Sequence, residues 1–272
     1  MEQILNLPSA DIEKTTHTSS TIQPDTLFNF MKKVDWLIEI IQNKMIPPRY
    51  CVEDITYLQI DGIDKVAYPM KCFCDINLHK LQEHIGWYGA CGIAFSKQWG
   101  MEKGIQPLHY INPQSSLRKD FTEVFNSTIQ TESKRQSELQ RKLKSYLLHE
   151  LMYYKPYSGF FENRNTSEKS YKCFTDECEW RYLPNVDFLD YEQIIIYDEL
   201  NKDYIDNCNA ALKTVREVSL QFDYKDIKYL IVENDDDYIK LVDAIIHLPI
   251  RRNEKYWLSS KIIVWDKSKG DF

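Results

Sequence analysis

The chain has 272 residues, of which 43% are hydrophobic and 28% charged, and its net charge is −7. That length buries a sizeable core, and the acidic balance argues against a broad nucleic-acid-binding face. No apolar run reaches the roughly 20 residues of a membrane span, and the first residues lack the basic-then-apolar pattern of a secretory signal. The seven cysteines show no framework spacing. They read as reduced thiols and point to a cytoplasmic protein.

Residues 1–26 are rich in Ser, Thr and charge, including THTSST at Thr16 to Thr21, and are expected to form a flexible arm. Order is expected from Leu27, where LFNFM reads as a short strand. Val34, Leu37, Ile38, Ile41 and Met45 then fall on one stripe of an amphipathic helix. Pro47-Pro48 is expected to stop it. Val66 to Cys74 reads as a strand. Asn77 is a plausible cap for a helix with Leu78, Leu81, Ile85 and Tyr88 inward, closed by Gly89. Ile93 to Phe95 and Leu108 to Ile111 are short strands.

Thr131 to Tyr154 carries the longest helical pattern, with Leu139, Leu143, Leu147 and Leu151 on its apolar face. Tyr171 to Leu183 is strand-like, and Gln193 to Tyr197 follows as another strand. Asn201 to Ser219 is a helix with Ile205, Cys208, Leu212 and Val215 on one side. Tyr229 to Val232 is a buried strand. Asp235-Asp236-Asp237 opens a helix that Pro249 ends, since acids suit the positive end of a helix dipole. Lys261 to Trp265 is a last strand. The pattern is one α+β domain over 27–272, with short mixed or antiparallel strands and interspersed helices.

Two stretches carry chemistry. The block from Tyr68 to Gly100 sets Lys71, Asp75, His79, His84, Ser96 and Lys97 among aromatics and cysteines. Its Cys72 and Cys74 lack the paired C-x2-C spacing of a zinc site, so they read as buried thiols. Gly86, Gly89 and Gly92 make neither a dinucleotide-binding fingerprint nor a P-loop. In the second stretch, DECEWRY at Asp176 to Tyr182, a strand period of 2 puts Glu177, Glu179 and Arg181 on one side and Cys178, Trp180 and Tyr182 on the other. The aromatic side is expected to be core. The charged side is either a surface salt-bridge ladder or a pair of working carboxylates beside a guanidinium.

The segments PRYCVEDI, PMKCFCDI, HIGWYGACGIAFSKQWG, LHYIN, ECEWRY, DIKYLIVEN and KIIVWDKSKGDF, in that order, resemble the AbiGi family of bacterial abortive-infection proteins. The resemblance covers roughly Leu27 to Phe272. It implies one half of a phage-resistance pair acting through a protein partner encoded nearby; in this sequence the N-terminal arm and the long charged helix of 131–154 are the candidate docking elements. The order of elements is also similar to the ADP-ribosyltransferase-like fold, although Asn29 and Met31 stand where related sequences often carry His and Thr.

That second resemblance implies an alternative: an enzyme transferring ADP-ribose from NAD, its cofactor, to a protein or nucleic acid. Glu179 would stabilise the cationic ribose and Glu177 would orient the acceptor. Asn29 and Tyr88 would contact the cofactor, and Arg49 or Lys97 would meet the pyrophosphate. A polar hollow shared by Glu179, Asn29 and the Phe73 to Ser96 block is the expectation on which this reading depends.

Overall fold

The computed structural model describes residues 20, 22–129, 137–162 and 169–270. Its strands, in chain order, are β1 (Thr26–Met31), β2 (Met45–Ile46), β3 (Arg49–Asp54), β4 (Lys65–Cys74), β5 (Cys91–Ser96), β6 (Gln106–Pro107), β7 (His109–Ile111), β8 (Tyr154–Pro156), β9 (Ser158–Glu162), β10 (Lys169–Cys173), β11 (Glu179–Tyr182), β12 (Ile195–Ile196), β13 (Leu220–Gln221), β14 (Ile227–Val232) and β15 (Ile262–Val264). The helices are α1 (Val34–Asn43), α2 (Leu81–Tyr88), α3 (Lys97–Glu102), α4 (Ser116–Ile129), α5 (Glu138–Tyr153), α6 (Lys202–Leu212), α7 (Asp235–Ile246), α8 (Arg252–Ser259) and α9 (Trp265–Ser268). The main sheet runs β15-β14-β5-β1-β4-β11-β6, with β3 and β12 also paired to β4. Its pairs are antiparallel except β14 with β15. The α+β expectation holds in this coarse form.

Register assigns every central side chain to a face, because directly paired residues point the same way. Phe28 pairs with Cys74 and Cys74 with Glu179, so these residues, with Ala94 and Arg181, share one face. Leu27, Asn29, Phe73, Ile93, Phe95 and Trp180 occupy the other. On the Leu27 face, α1 and α7 bury Leu37, Ile41, Leu241 and Ile245 against the sheet. On the Glu179 face, α2 covers Phe28, Cys74 and Ala94 with Leu81 and Ile85. Further along that face, α4 and α5 cover Tyr68 and Met70 with Phe121, Phe125, Leu147 and Leu151. The charged side chains sit between these two apolar patches.

Several local expectations change. α1 ends before the prolines, because Lys44 turns left-handed at φ 51°. Met45, expected on the helix stripe, instead begins a strand paired with β13. The strand expected over 171–183 is broken by a 3-10 turn at Phe174–Glu177 and by Cys178 at φ 42°. Asn77 does not cap; its Nδ2 donates to the Ile22 carbonyl at 3.2 Å. Gly89 does close α2, at φ 104°, where a Cβ would stand 2.4 Å from the Met31 carbonyl oxygen. The helix expected from Thr131 is described from Ser137, whose hydroxyl caps it, and residues 130–136 lie outside the described residues. Its Leu147 and Leu151 are buried, but Leu139 is exposed. The arm expected over 1–26 lies outside the described residues as far as residue 19. Among the described residues, no helix is long and apolar enough to cross a membrane.

Candidate functional site

The left-handed turn at Cys178 shapes the polar centre. A bulky residue at positive φ is strained, and here the turn is held by two backbone bonds: Cys178 N–H to Thr175 O at 3.1 Å and Asp75 N–H to Cys178 O at 3.0 Å. Glu177 therefore reaches the centre from a turn and Glu179 from β11, yet both carboxylates grip the Lys155 ammonium, Glu179 Oε2 at 2.5 Å. Lys155 lies on β8, directly after α5.

From Lys155 the charges alternate across the molecule. Arg181 Nε donates to Glu179 Oε1 at 2.7 Å, and its Nη2 donates to Glu53 Oε2 on β3 at 2.9 Å. Arg181 Nη1 adds bonds to Tyr68 Oη at 2.5 Å and the Met152 carbonyl at 2.9 Å. In the other direction Glu177 Oε1 accepts from Tyr88 Oη at 2.6 Å and from Lys172 Nζ at 2.7 Å. The series Lys172, Glu177, Lys155, Glu179, Arg181, Glu53 is neutral as a whole. Arg181 is 0% exposed, Glu177 3% and Glu179 7%.

Burial tends to neutralise such carboxyls, but the opposing charges outweigh it. Burial pushes Glu179 up, whereas Arg181 and Lys155 together hold it well below the usual carboxylate range. Glu177 is likewise held low, with burial opposed first by Lys155. Burial lowers Lys155, and the two glutamates more than restore its charge. His84, 4.5 Å from the Tyr88 ring and 5.5 Å from the Phe30 ring, is pushed down to about 4 by burial. It is neutral at pH 7.

The expected site residues do not meet in one hollow. Glu177, Glu179 and Tyr88 converge. Asn29 lies across the sheet from Glu179, 5% exposed, donating to the Cys72 carbonyl at 2.8 Å. Lys97 is also on that far side, 2.8 Å from Asp75 and 5.7 Å from the Trp180 ring centroid. Arg49 is exposed at the start of β3, its Nε 3.4 Å from Cys51 Sγ. The charged side of DECEWRY is buried, which removes the surface ladder, and Trp180 and Tyr182 on the other side are partly buried and pack against the Leu27-face core, as expected of the aromatic side. Burial pushes the Cys72 and Cys74 thiols well above their usual range, so neither is a ready thiolate.

A family model described as "Putative abortive phage resistance protein AbiGi, antitoxin" matches residues 43–233. "Abortive phage resistance protein AbiGi" from Lactococcus lactis subsp. cremoris is 32% identical over 251 residues, covering 83% of this chain and 98% of that protein. The chain belongs to the AbiGi family. The matched stretch contains all six members of the alternating charge series. No solved structure matches, so the resemblance to the ADP-ribosyltransferase-like fold gains no neighbour.

Sequence reasoning missed Lys155, Lys172 and Glu53 in this AbiGi chain. Lys155 stands at the end of a helix whose many charges face solvent, so nothing local separates it from Lys142 or Lys144. Lys172 carried a usable signal: in YKCF at Tyr171 to Phe174 a lysine occupies the inward phase of a short aromatic strand. A lone charge in that phase asks for a buried counter-charge.

Proposed function

We propose that this chain acts in bacterial anti-phage defence as the restraining, antitoxin half of an abortive-infection pair, and that it works by binding a protein partner. The defence role is carried by the match to an abortive phage resistance protein, spanning 98% of that relative, and the antitoxin role is supported by the description of the matching family. The site chemistry supports binding over catalysis. Both Glu179 oxygens are engaged, one by Arg181 and one by Lys155, so its charge is already matched by two buried cations rather than held open for a developing one.

Transfer of ADP-ribose from NAD would need that carboxylate free and Asn29 beside it, whereas the sheet stands between the two. One surface hollow of about 360 Å³ is lined by Pro24, Thr26, Phe28, Asn77, His79 and Tyr229, and not by Glu177 or Glu179.

The test expresses the product of the adjacent gene alone and together with this chain, in cells challenged with phage. Growth arrest by the neighbour, its relief by this chain, and recovery of both proteins on one affinity column are the expected results. Relief without physical association removes the binding mechanism. Phage protection by this chain alone removes the pair. Purified chain supplied with NAD is expected to label neither protein nor nucleic acid.

A further inference from the structure

The β9–β10 hairpin is a sheet of its own, not hydrogen-bonded into the main sheet. Tyr171 pairs with Phe160 and Lys172 with Gly159, so Phe160 and Tyr171 face outward while Lys172, Ser170 and Phe161 face α2. The Lys172 ammonium lies 5.0 Å from the Trp87 ring centroid, 5.4 Å from Tyr88 and 5.3 Å from Phe161. Ring faces within about 6 Å of an ammonium attract it, and such cages recognise lysine-type and quaternary ammonium ligands. Glu177 closes the floor at 2.7 Å.

This cage needs one cation, and the rest of the centre does not supply it. Without Lys172, the carboxylates of Glu177, Glu179 and Glu53 face only Lys155 and Arg181, leaving one negative charge. Glu177 itself keeps Lys155 and Tyr88 as partners, so without Lys172 that carboxylate stays hydrogen-bonded while the centre lacks one matching cation. The cage rings are all partly exposed. On the same inward face the Ser170 hydroxyl is buried without a hydrogen-bond partner.

From this geometry we infer that Trp87, Tyr88, Phe161 and Glu177 form a recognition site for a primary ammonium, occupied in the free protein by Lys172 as an internal stand-in. Its intended occupant is a lysine side chain of the partner, and a net charge of −7 favours a basic partner segment. This occupancy rests on the partner-binding reading above; the cage itself does not. Tethering gives Lys172 a high effective concentration, so the free protein binds outside cations weakly and a docked partner must outcompete it.

The experiment uses the full chain, wild type and Lys172→Ala, with n-butylammonium as the lysine side-chain probe. Thermal unfolding of Lys172→Ala is expected to shift up by several degrees at millimolar probe. The wild type and the Lys172→Ala/Trp87→Ala double variant are expected not to move. Equal shifts in all three, or none, overturn the cage. Should Lys172→Ala not fold, its recovery on refolding with butylammonium, and not with sodium, is the equivalent readout, and no recovery overturns the cage. In the partner capture assay Lys172→Ala is expected to retain at least tenfold more partner than wild type, and the double variant to lose that gain. Probe binding without that gain leaves the cage and overturns the partner lysine as its occupant. Failure of capture by every form, with probe binding intact, overturns the partner-binding reading instead.

Discussion

Across the sheet from each other, β4 and β11 present two interiors of opposite kinds. The Leu27 face is sealed by aliphatic side chains from α1 and α7, and it holds one buried ion pair, Lys97 with Asp75. The Glu179 face buries a run of alternating charges supplied by β3, β8, β10, β11 and the turn at Phe174–Glu177, between two apolar patches. Apolar packing loses energy in proportion to the atoms removed. A buried charge series does not, because removing one member strands its neighbours in a medium that cannot solvate them. The first face is therefore tolerant and the second brittle.

The largest expected effect is at Lys155. Lys155→Met keeps most of the volume but leaves Glu177 and Glu179 facing each other, and it is expected to cost about 3–5 kcal/mol. Ile93→Val, at the centre of the opposite face, is expected to cost about 0.5–1.5 kcal/mol. Urea unfolding midpoints measure both, and similar losses at the two positions would erase the distinction between the faces. Adding Glu177→Gln to Lys155→Met is expected to recover part of the loss, since it removes one of the stranded charges.

Glu179→Gln comes next. Arg181 keeps Glu53 and Lys155 keeps Glu177, so the expected cost is smaller, about 2–3 kcal/mol. If Glu179 were a working carboxylate at an open site, the same change would leave the unfolding midpoint nearly unmoved, which sharpens the choice between scaffold and catalyst.

The acid limb of stability reports the same face. His84 has its ordinary value near 6.5 when unfolded and about 4 when folded. Below pH 6.5 the unfolded chain takes up a proton that the folded one refuses, so stability falls as pH drops from 6.5 to 4. The expected loss is on the order of 2–3 kcal/mol. His84→Phe is expected to remove that slope. Glu179 and Glu177, both held low, add a further loss as pH falls below the ordinary glutamate value of 4.5. An unchanged slope in His84→Phe would assign the whole acid limb to the carboxylates.

Much of the apolar face was legible and little of the charged one. The β1, β5 and β14 strands are short, mostly apolar runs, and their burial follows from composition. The period-2 reading placed Glu179 and Arg181 together and the aromatic side against a core, but it did not bury the charged side as well, because charge alone argues for solvent. The counter-charges come from Glu53 and Lys155, 128 residues apart from Arg181 in one case and at a helix end in the other. No local pattern announces such pairings. The break at Cys178 was hidden for the same reason: its left-handed φ is held by contacts with Thr175 and Asp75, while its neighbours are good strand formers. The helix of Ser116–Ile129 was missed because its apolar positions are diluted by polar ones.

The smallest expected effect concerns Asn29, an uncharged polar side chain buried on the apolar face. It gains one hydrogen bond, Nδ2 to the Cys72 carbonyl at 2.8 Å, and buries Oδ1 with no partner. A typical bond contributes about 1 kcal/mol, and a buried unsatisfied acceptor costs about 1–3 kcal/mol. Asn29→Leu removes both and adds apolar contact with Ile93 and Phe73, so the unfolding midpoint is expected to stay within about 1 kcal/mol of wild type or to rise. A fall of 3 kcal/mol would mean that Oδ1 has a buried partner such as an ordered water. A near-neutral result, set beside the Lys155→Met loss, would show that a buried polar group is brittle here only when its charge is shared along a series.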